Sequence, residues 1–323
     1  MSKRIKKDFD LRKNISLLVF FALLIINIFI TPNFVSWITC ANLIRQTNII
    51  DILDQATIYG LMGLGIMLPI ITGGIDISVG SAMALGAVIS ALGLLNGQWW
   101  LIAFSLLLTM GFGAIAGISI SKFGVLPMVA TLALRYIMRG MAKGVSGVGT
   151  VTFSSPALTD FFNMKLFDKI PIHLLILILA VVIVYILVNR MSFGGYIEAY
   201  GENSKAAGIC GINAVKIILV CYCMSAAFSW MAGMLDMISV SSANPANIGT
   251  DYDVDAIAAV LVGGTPISGG HPNVMGTVGG AFVLQLINVM CNMHNIPYSI
   301  SLMIKAVIIV LALSFHGMKN KSR

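Results

Sequence analysis

Gly73-Gly74-Ile75-Asp76-Ile77-Ser78-Val79-Gly80-Ser81 lies between two apolar runs, one near 56–72 and one near 77–95. Each run approaches the roughly 20 apolar residues that a helix needs to cross a hydrocarbon core about 30 Å thick. Lipid offers no hydrogen bonds, so such runs must be helices that satisfy their own backbone. Two glycines and an aspartate interrupt that pattern between the runs. An unwound segment is tolerated at membrane depth only where protein buries it or where it lines a wet cavity. The stretch therefore reads as an interrupted helix inside a polytopic membrane bundle.

The remaining sequence repeats the pattern. Apolar residues make up 58% of the 323 residues and charged residues 10%, with mean hydropathy +0.94. A soluble domain carries about a quarter charged residues, so most of this surface is not in water. Further apolar spans fall near 15–30, 99–119, 171–188, 214–236, 273–290 and 298–315, with weaker, Gly-broken segments near 125–142 and 253–264. Lys3, Arg4, Lys6, Lys7, Arg12 and Lys13 begin the chain, and Lys319, Lys321 and Arg323 end it. Basic flanks mark the cytoplasmic face, so both termini are expected inside and the span count is even.

Eight and ten spans both satisfy that parity. Counting the two weaker segments gives ten. Lys122, Arg190, Lys205 and Lys216 then fall inside, and 143–170, with Lys165 and Lys169 balanced by Asp160 and Asp168, falls outside. The expected fold is all-α: a polytopic transmembrane helical bundle of about ten spans with two short broken helices. A basic tail over 1–14, a membrane domain over 15–316 and a second basic tail over 317–323 make up the chain. The run Ile15 to Ile30 lacks a small-x-small cleavage site and continues into Thr31-Pro32-Asn33, so it reads as a retained first helix. The net charge of +7 is concentrated at the ends and does not suggest a nucleic-acid partner.

Gly113-x-x-x-Gly117 and Gly276-x-x-x-Gly280 are spacings that let membrane helices approach closely. Asn42 to Gln55 alternates polar and apolar residues and reads as a helix lying at the outer interface. Cys40, Cys210, Cys221, Cys223 and Cys291 form no metal-ligand spacing and read as buried, inert thiols. His173, His271, His294 and His316 are scattered and form no metal pair. No metal or cofactor site is expected.

Asp76, Asp236 and Asp255 need a reason, because a charge at the bilayer centre costs about 2.5–3.5 kcal/mol on insertion scales. Asp76 and Asp255 stand in Gly/Asp-rich breaks, at 73–81 and 249–255, that echo each other. Paired interruptions of this kind point to a transport path. Each aspartate either caps a helix or lines that path; Asp236, at the outer end of its span, reads as interfacial. The loop after Arg190 carries few charges, and the pair Ala206-Ala207 begins a short helix ended near Gly211. That helix reads as one that docks into another protein. The chain has no Gly-Lys dipeptide and so no P-loop; it also lacks H-E-x-x-H and G-x-S-x-G. Catalysis by this chain has little support, and without a P-loop ATP binding is not expected.

Four ordered blocks resemble the permease subunits of ribose-type ABC importers, the class that takes up monosaccharides and includes a furanosyl autoinducer carrier. They are Gly74-Ile75-Asp76-Ile77-Ser78-Val79-Gly80-Ser81; Pro127-x-x-Ala130-Thr131-Leu132 with Arg139-Gly140; Phe193-Gly194-x-Tyr196 with Gly201-x-Asn203-x-x-Ala206-Ala207 and Gly211-Ile212; and Asp255-Ala256-Ile257-Ala258-Ala259-Val260 with Gly263-Gly264-Thr265 and Gly269-Gly270. The likeness runs from about Pro32 to His316.

The resemblance implies the ten-helix fold shared with cobalamin-type importers. It gives Gly201, Asn203, Ala206, Ala207, Gly211 and Ile212 to a coupling loop that docks on an ABC ATPase subunit, and Asp76, Ser78, Ser81, Asp255 and Thr265 to the translocation pathway. It also implies three partners besides membrane lipid: the ATPase, which holds ATP and Mg; a periplasmic sugar-binding protein; and a second permease copy, identical or a sister chain. The expected location is the bacterial inner membrane. His271-Pro272, where a basic residue is common, and Ser239, where an arginine is common, depart from the pattern and leave the sugar unspecified. The competing readings are an ion-coupled secondary transporter using Asp76 or Asp255 and, with less support, an intramembrane enzyme.

Overall fold

The computed structural model describes residues 48–166 and 170–320; the expected first span near 15–30, Cys40 and the tail over 1–14 lie outside the described residues. Twelve helices are present among them: α1 Asn48–Ile71, α2 Val79–Leu95, α3 Trp100–Phe123, α4 Pro127–Val145, α5 Pro156–Asn163, α6 Ile172–Asn189, α7 Ser192–Glu202, α8 Ser204–Ile209, α9 Ala214–Ser239, α10 Tyr252–Val262, α11 Val274–Met293 and α12 Tyr298–Asn320. Two-residue strands β1 Val151–Thr152 and β4 Ser242–Ala243 pair antiparallel, as do β2 Lys165–Leu166 and β3 Ile170–Pro171. Five helices, α1, α3, α6, α9 and α11, are long and apolar enough to cross a membrane. The protein is a multi-pass helical membrane protein.

Helix ends follow local chemistry. Gly124 takes the left-handed conformation that ends α3, and Pro127 opens α4, where its missing N–H costs nothing. Asn213 and Asn273 cap α9 and α11, their side chains accepting from Lys216 N and Gly276 N. The weaker segments near 125–142 and 253–264 are the helices α4 and α10. α12 continues through Asn320, into the stretch expected as a tail.

At the centre, α9 packs against α1, α2 and α3. Small residues set the spacing. A Cβ on Gly113 would stand 2.5 Å from the Tyr222 carbonyl oxygen, and one on Gly117 2.7 Å from Leu219 Cα. Gly276 and Gly280 meet the carbonyls of Gly263 and Ala259 in the same way, so both expected small-residue pairs are close helix contacts.

Two expectations need correction. Of the expected interfacial helix over Asn42 to Gln55, residues 42–47 lie outside the described residues, and those from Asn48 onward form the first turns of α1. Two of their side chains meet the bundle: Asp54 Oδ1 lies 3.0 Å from Nδ1 of buried His173, without hydrogen-bond geometry, and Gln55 Oε1 accepts from Gln285 Nε2 at 2.6 Å. The cysteines are not uniformly buried. Cys221 and Cys291 are, Cys223 is half-buried, and Cys210, which follows α8, is exposed.

The two Gly/Asp-rich breaks meet. The first runs over 72–78 between α1 and α2; the second runs over 244–251 between β4 and α10. Gly80 and Gly249 stand face to face, so a Cβ on either would collide with the other's carbonyl oxygen. Arg139 of α4 closes the junction. Its Nη1 donates to the carbonyls of Pro245 at 2.9 Å and Ile248 at 2.6 Å, and its Nη2 to that of Gly80 at 3.3 Å. From this junction α2 and α10 leave in opposite directions. α2 runs toward the β1–β4 pair, and α10 toward Gly263 and Gly276, near the end where Ile71 closes α1.

Gly249 also holds φ +70°, a region that L side chains rarely adopt. Gly249→Ala is expected to destabilise the chain by about 1–3 kcal/mol, read as a lower Tm and a poorer yield of monodisperse protein in detergent. Gly111→Ala, where nothing lies within 4 Å of the added Cβ, should leave Tm unchanged or slightly raised.

Candidate functional site

The expected pathway residues are all buried in this conformation: Asp76, Ser78, Ser81, Asp255 and Thr265. Asp76 does not cap α2, whose N-cap is Ser78. It holds the turn ahead of that helix: Oδ1 accepts from Ser78 N at 2.9 Å and Ser78 Oγ at 2.6 Å, and Oδ2 accepts from Ser225 Oγ of α9 at 2.8 Å. Hydrogen bonds of this kind stabilise a carboxylate taken out of water. Thr131 of α4 lies against the same break, its Oγ1 accepting from Ile77 N and approaching Ile75 O, both at 3.3 Å. Ser81 Oγ is buried without a partner among the described residues. Thr265 Oγ1 accepts from Asn273 N at 3.1 Å, which folds the loop after α10 back onto the start of α11.

The second break carries more charge than the sequence suggests. Asp255 is paired with Lys305 of α12, Nζ to Oδ2 at 2.6 Å, with side chains only 4% and 8% exposed. Asp253 lies 2.5 Å from Arg135 of α4, with exposures of 1% for the acid and 30% for the base. That second contact is an ion pair without a well-aligned hydrogen bond, since Asp253 Oδ2 has no bond of good geometry. Residues two apart on a helix project about 200° from one another, so the two acids reach opposite neighbours. Tyr298 OH donates to Asp251 Oδ2 at 2.9 Å, adding a second tie between the α10 region and α12. Sequence reasoning missed Lys305, Arg135 and Asp253. The signal was present, as Lys305 interrupts the apolar run near 298–315, but its partner lies fifty residues away.

The expected coupling residues fall into two groups. Asn203 caps α8, accepting from Ala206 N at 3.0 Å, and Gly211 ends the turn at φ +80°. Ala206 is exposed, whereas Ala207 is buried and faces the bundle. Ile209, not singled out before, is 89% exposed, more than any other large apolar side chain among the described residues. Gly201 packs on the carbonyl of Ile71 and the N–H of Gly270. Ile212 is half-buried, its N–H donating to Ala207 O at 3.1 Å.

His271 is not isolated. Its Nδ1 contacts Glu198, and its Nε2 lies 3.3 Å from Glu202, joining α7 to the loop after α10. A half-open cavity of about 230 Å³ lies beside the first break, between Thr72 and Gly74, the turn at Gly124 to Pro127, and Tyr200 and Tyr222; no charged side chain lines it.

The family model described as branched-chain amino acid transport system / permease component matches residues 48–313. The chain is 31% identical over 290 residues to the ribose import permease of Escherichia coli K12, covering 86% of this chain and 88% of that one. It is 32% identical over 326 residues to the ribose import permease of Bacillus subtilis 168, with 98% and 97% covered. The galactofuranose transporter permease of Escherichia coli K12 is 32% identical over 268 residues, 82% of this chain and 78% of that one. No solved structure matches the chain. With matches across nearly the whole sequence, and with the four motif blocks gathered around the two interruptions and the α7–α8 segment, the chain belongs to the ribose-type ABC transporter permease family.

Proposed function

We propose that the chain is the membrane subunit of a binding-protein-dependent ABC importer that moves a monosaccharide, or a related small polar solute, across the bacterial inner membrane by alternating access. Counting the run near 15–30 with α1, α2, α3, α4, α6, α9, α10, α11 and α12 gives ten spans with both termini cytoplasmic. That places α7 and α8 on the cytoplasmic side, between spans six and seven.

One arrangement carries the proposal. The exposed helix α8 continues from α7, and α7 rests through Gly201 on the last residue of α1 and on Gly270. The first contact lies just before one interruption and the second follows the helix of the other. A push on α8 therefore reaches both interrupted elements. The ATPase supplies that push, with ATP and Mg on its own side of the joint, and Ile209 is the apolar side chain that enters it. The chain itself hydrolyses nothing.

The names of the relatives support the solute class: ribose, galactofuranose and, in Bifidobacterium longum, fructose. A periplasmic binding protein selects the solute and a second permease copy completes the path, whose own contacts must be weak enough to release what they bind. An ion-coupled transporter would need a carboxylate free to take up a proton or cation. Asp76 already accepts three hydrogen bonds and Asp255 is paired with Lys305, which favours the ABC reading.

Ile209→Glu puts a charge into the proposed joint without touching the bundle. In a complex reconstituted with its ATPase and binding protein, solute-stimulated ATPase and uptake should fall about tenfold or more, with the isolated chain's Tm unchanged. Normal uptake by that variant would remove α8 from the coupling role. Asn203→Ala, which removes the α8 cap, should weaken ATPase binding several-fold for about 1 kcal/mol of lost helix stability, and Asn203→Ser should restore it.

A further inference from the structure

The two charged pairs of α10 differ in ways that assign them different roles. On the α12 side, Lys305 and Asp255 are both buried, their contact is an aligned hydrogen bond of 2.6 Å, and Tyr298 adds a second tie one turn away at Asp251. On the α4 side, the contact is a single ion pair. Arg135 is 30% exposed there, Asp253 is 1% exposed, and the hydrogen-bond geometry is poor. Opening the first pair would leave an ammonium and a carboxylate stranded in the bundle. Opening the second would leave the buried Asp253 carboxylate and a guanidinium that is already partly exposed at the surface of the bundle.

Ahead of α10 the backbone is built to turn. Gly249 and Asp251 hold φ +70° and +64°, and Arg139, one turn along α4 from Arg135, fixes the carbonyls of Pro245 and Ile248 just before them. A pivot at 249–251 keeps the Arg139 clasp intact while it swings Asp253 away from Arg135. At its other face α10 is packed backbone to backbone on α11, through Ala259 with Gly280 and Gly263 with Gly276, so it does not slide freely.

We propose that Lys305 and Arg135 are positioning residues for transport: Lys305 holds α10 to α12 throughout the cycle, whereas the Arg135–Asp253 pair opens and re-forms in each turnover. The proposal rests on the importer reading above. Between them, the two basic residues define which side of the second interruption moves. A neutral polar solute that reaches the opened α4 side meets a guanidinium and a carboxylate, groups that donate to and accept from hydroxyls.

State-dependent thiol labelling tests this in the assembled complex with its ATPase and binding protein, in a background with the native cysteines replaced. Asp253→Cys should react with a water-soluble methanethiosulfonate about tenfold faster during ATP turnover than without ATP, as the buried face becomes wet for part of the cycle. Asp255→Cys should stay unreactive in both conditions. Equal behaviour of the two thiols, whether both accelerate or neither does, would overturn the assignment.

A second measurement covers poor folding of the cysteine variants. Lys305→Met, which strands the buried Asp255 carboxylate and releases α10 from α12, should raise ATP hydrolysed per solute imported about fivefold or more. Arg135→Gln with Asp253→Asn should raise that ratio about fivefold or more, since nothing re-forms to close the α4 side, and Arg135→Lys should bring it back. A wild-type ratio in the Arg135–Asp253 double variant contradicts the gate. Absence of ATP-driven uptake by the wild-type complex removes the importer reading itself, and is seen without any variant.

Discussion

Backbone carbonyls outside a helix cannot be abandoned in lipid, and one guanidinium meets that requirement for the segment ahead of α10 while tying it to the start of α2. Arg139 takes the carbonyls of Pro245 and Ile248, and that of Gly80 in the first turn of α2, joining the segment that precedes α10 to the start of α2. The geometry depends on glycine at both points of contact, because Gly80 and Gly249 leave no room for a Cβ between them. Everything functional is arranged around this crossing. Asp76 secures the entrance to α2, Thr131 lies against the same break, and the acids of α10 reach out to α4 and α12 beyond it.

In the proposed importer, a short exposed helix acts on the interior of the bundle through its neighbour α7. α7 is seated on the end of α1 and on the loop that returns from α10, so both interrupted elements share one external handle. Buried charge then has a mechanical use. Ion pairs in a membrane bundle are costly to form and to break, which makes them suitable for holding a short helix in a defined place until a larger force acts. The matches to ribose and galactofuranose permeases fit a chain that supplies the path and takes its force from outside.

Much of this was legible from residue order because it depends on local period. The spans near 77–95, 171–188 and 273–290 became α2, α6 and α11 with their ends nearly as read, since length and apolarity determine a membrane helix. The Gly113 and Gly276 spacings, the short helix ended near Gly211 and the two echoing breaks were visible for the same reason. What stayed hidden depends on partners far along the chain. Nothing near Lys305 points to Asp255, and Arg135 with Asp253 spans a similar gulf. Asp54 and Gln55 resembled an interfacial pattern only because His173 and Gln285 were not yet beside them. The close approach of Gly201 to Ile71 was hidden for the same reason.

The most direct measurement of the account is solute accumulation in liposomes by the purified chain, alone and together with its ATPase and binding protein. Accumulation that needs all three components and ATP, and that persists when ion gradients are collapsed, is the predicted result. Accumulation by the chain alone, driven by a proton or cation gradient, would contradict it.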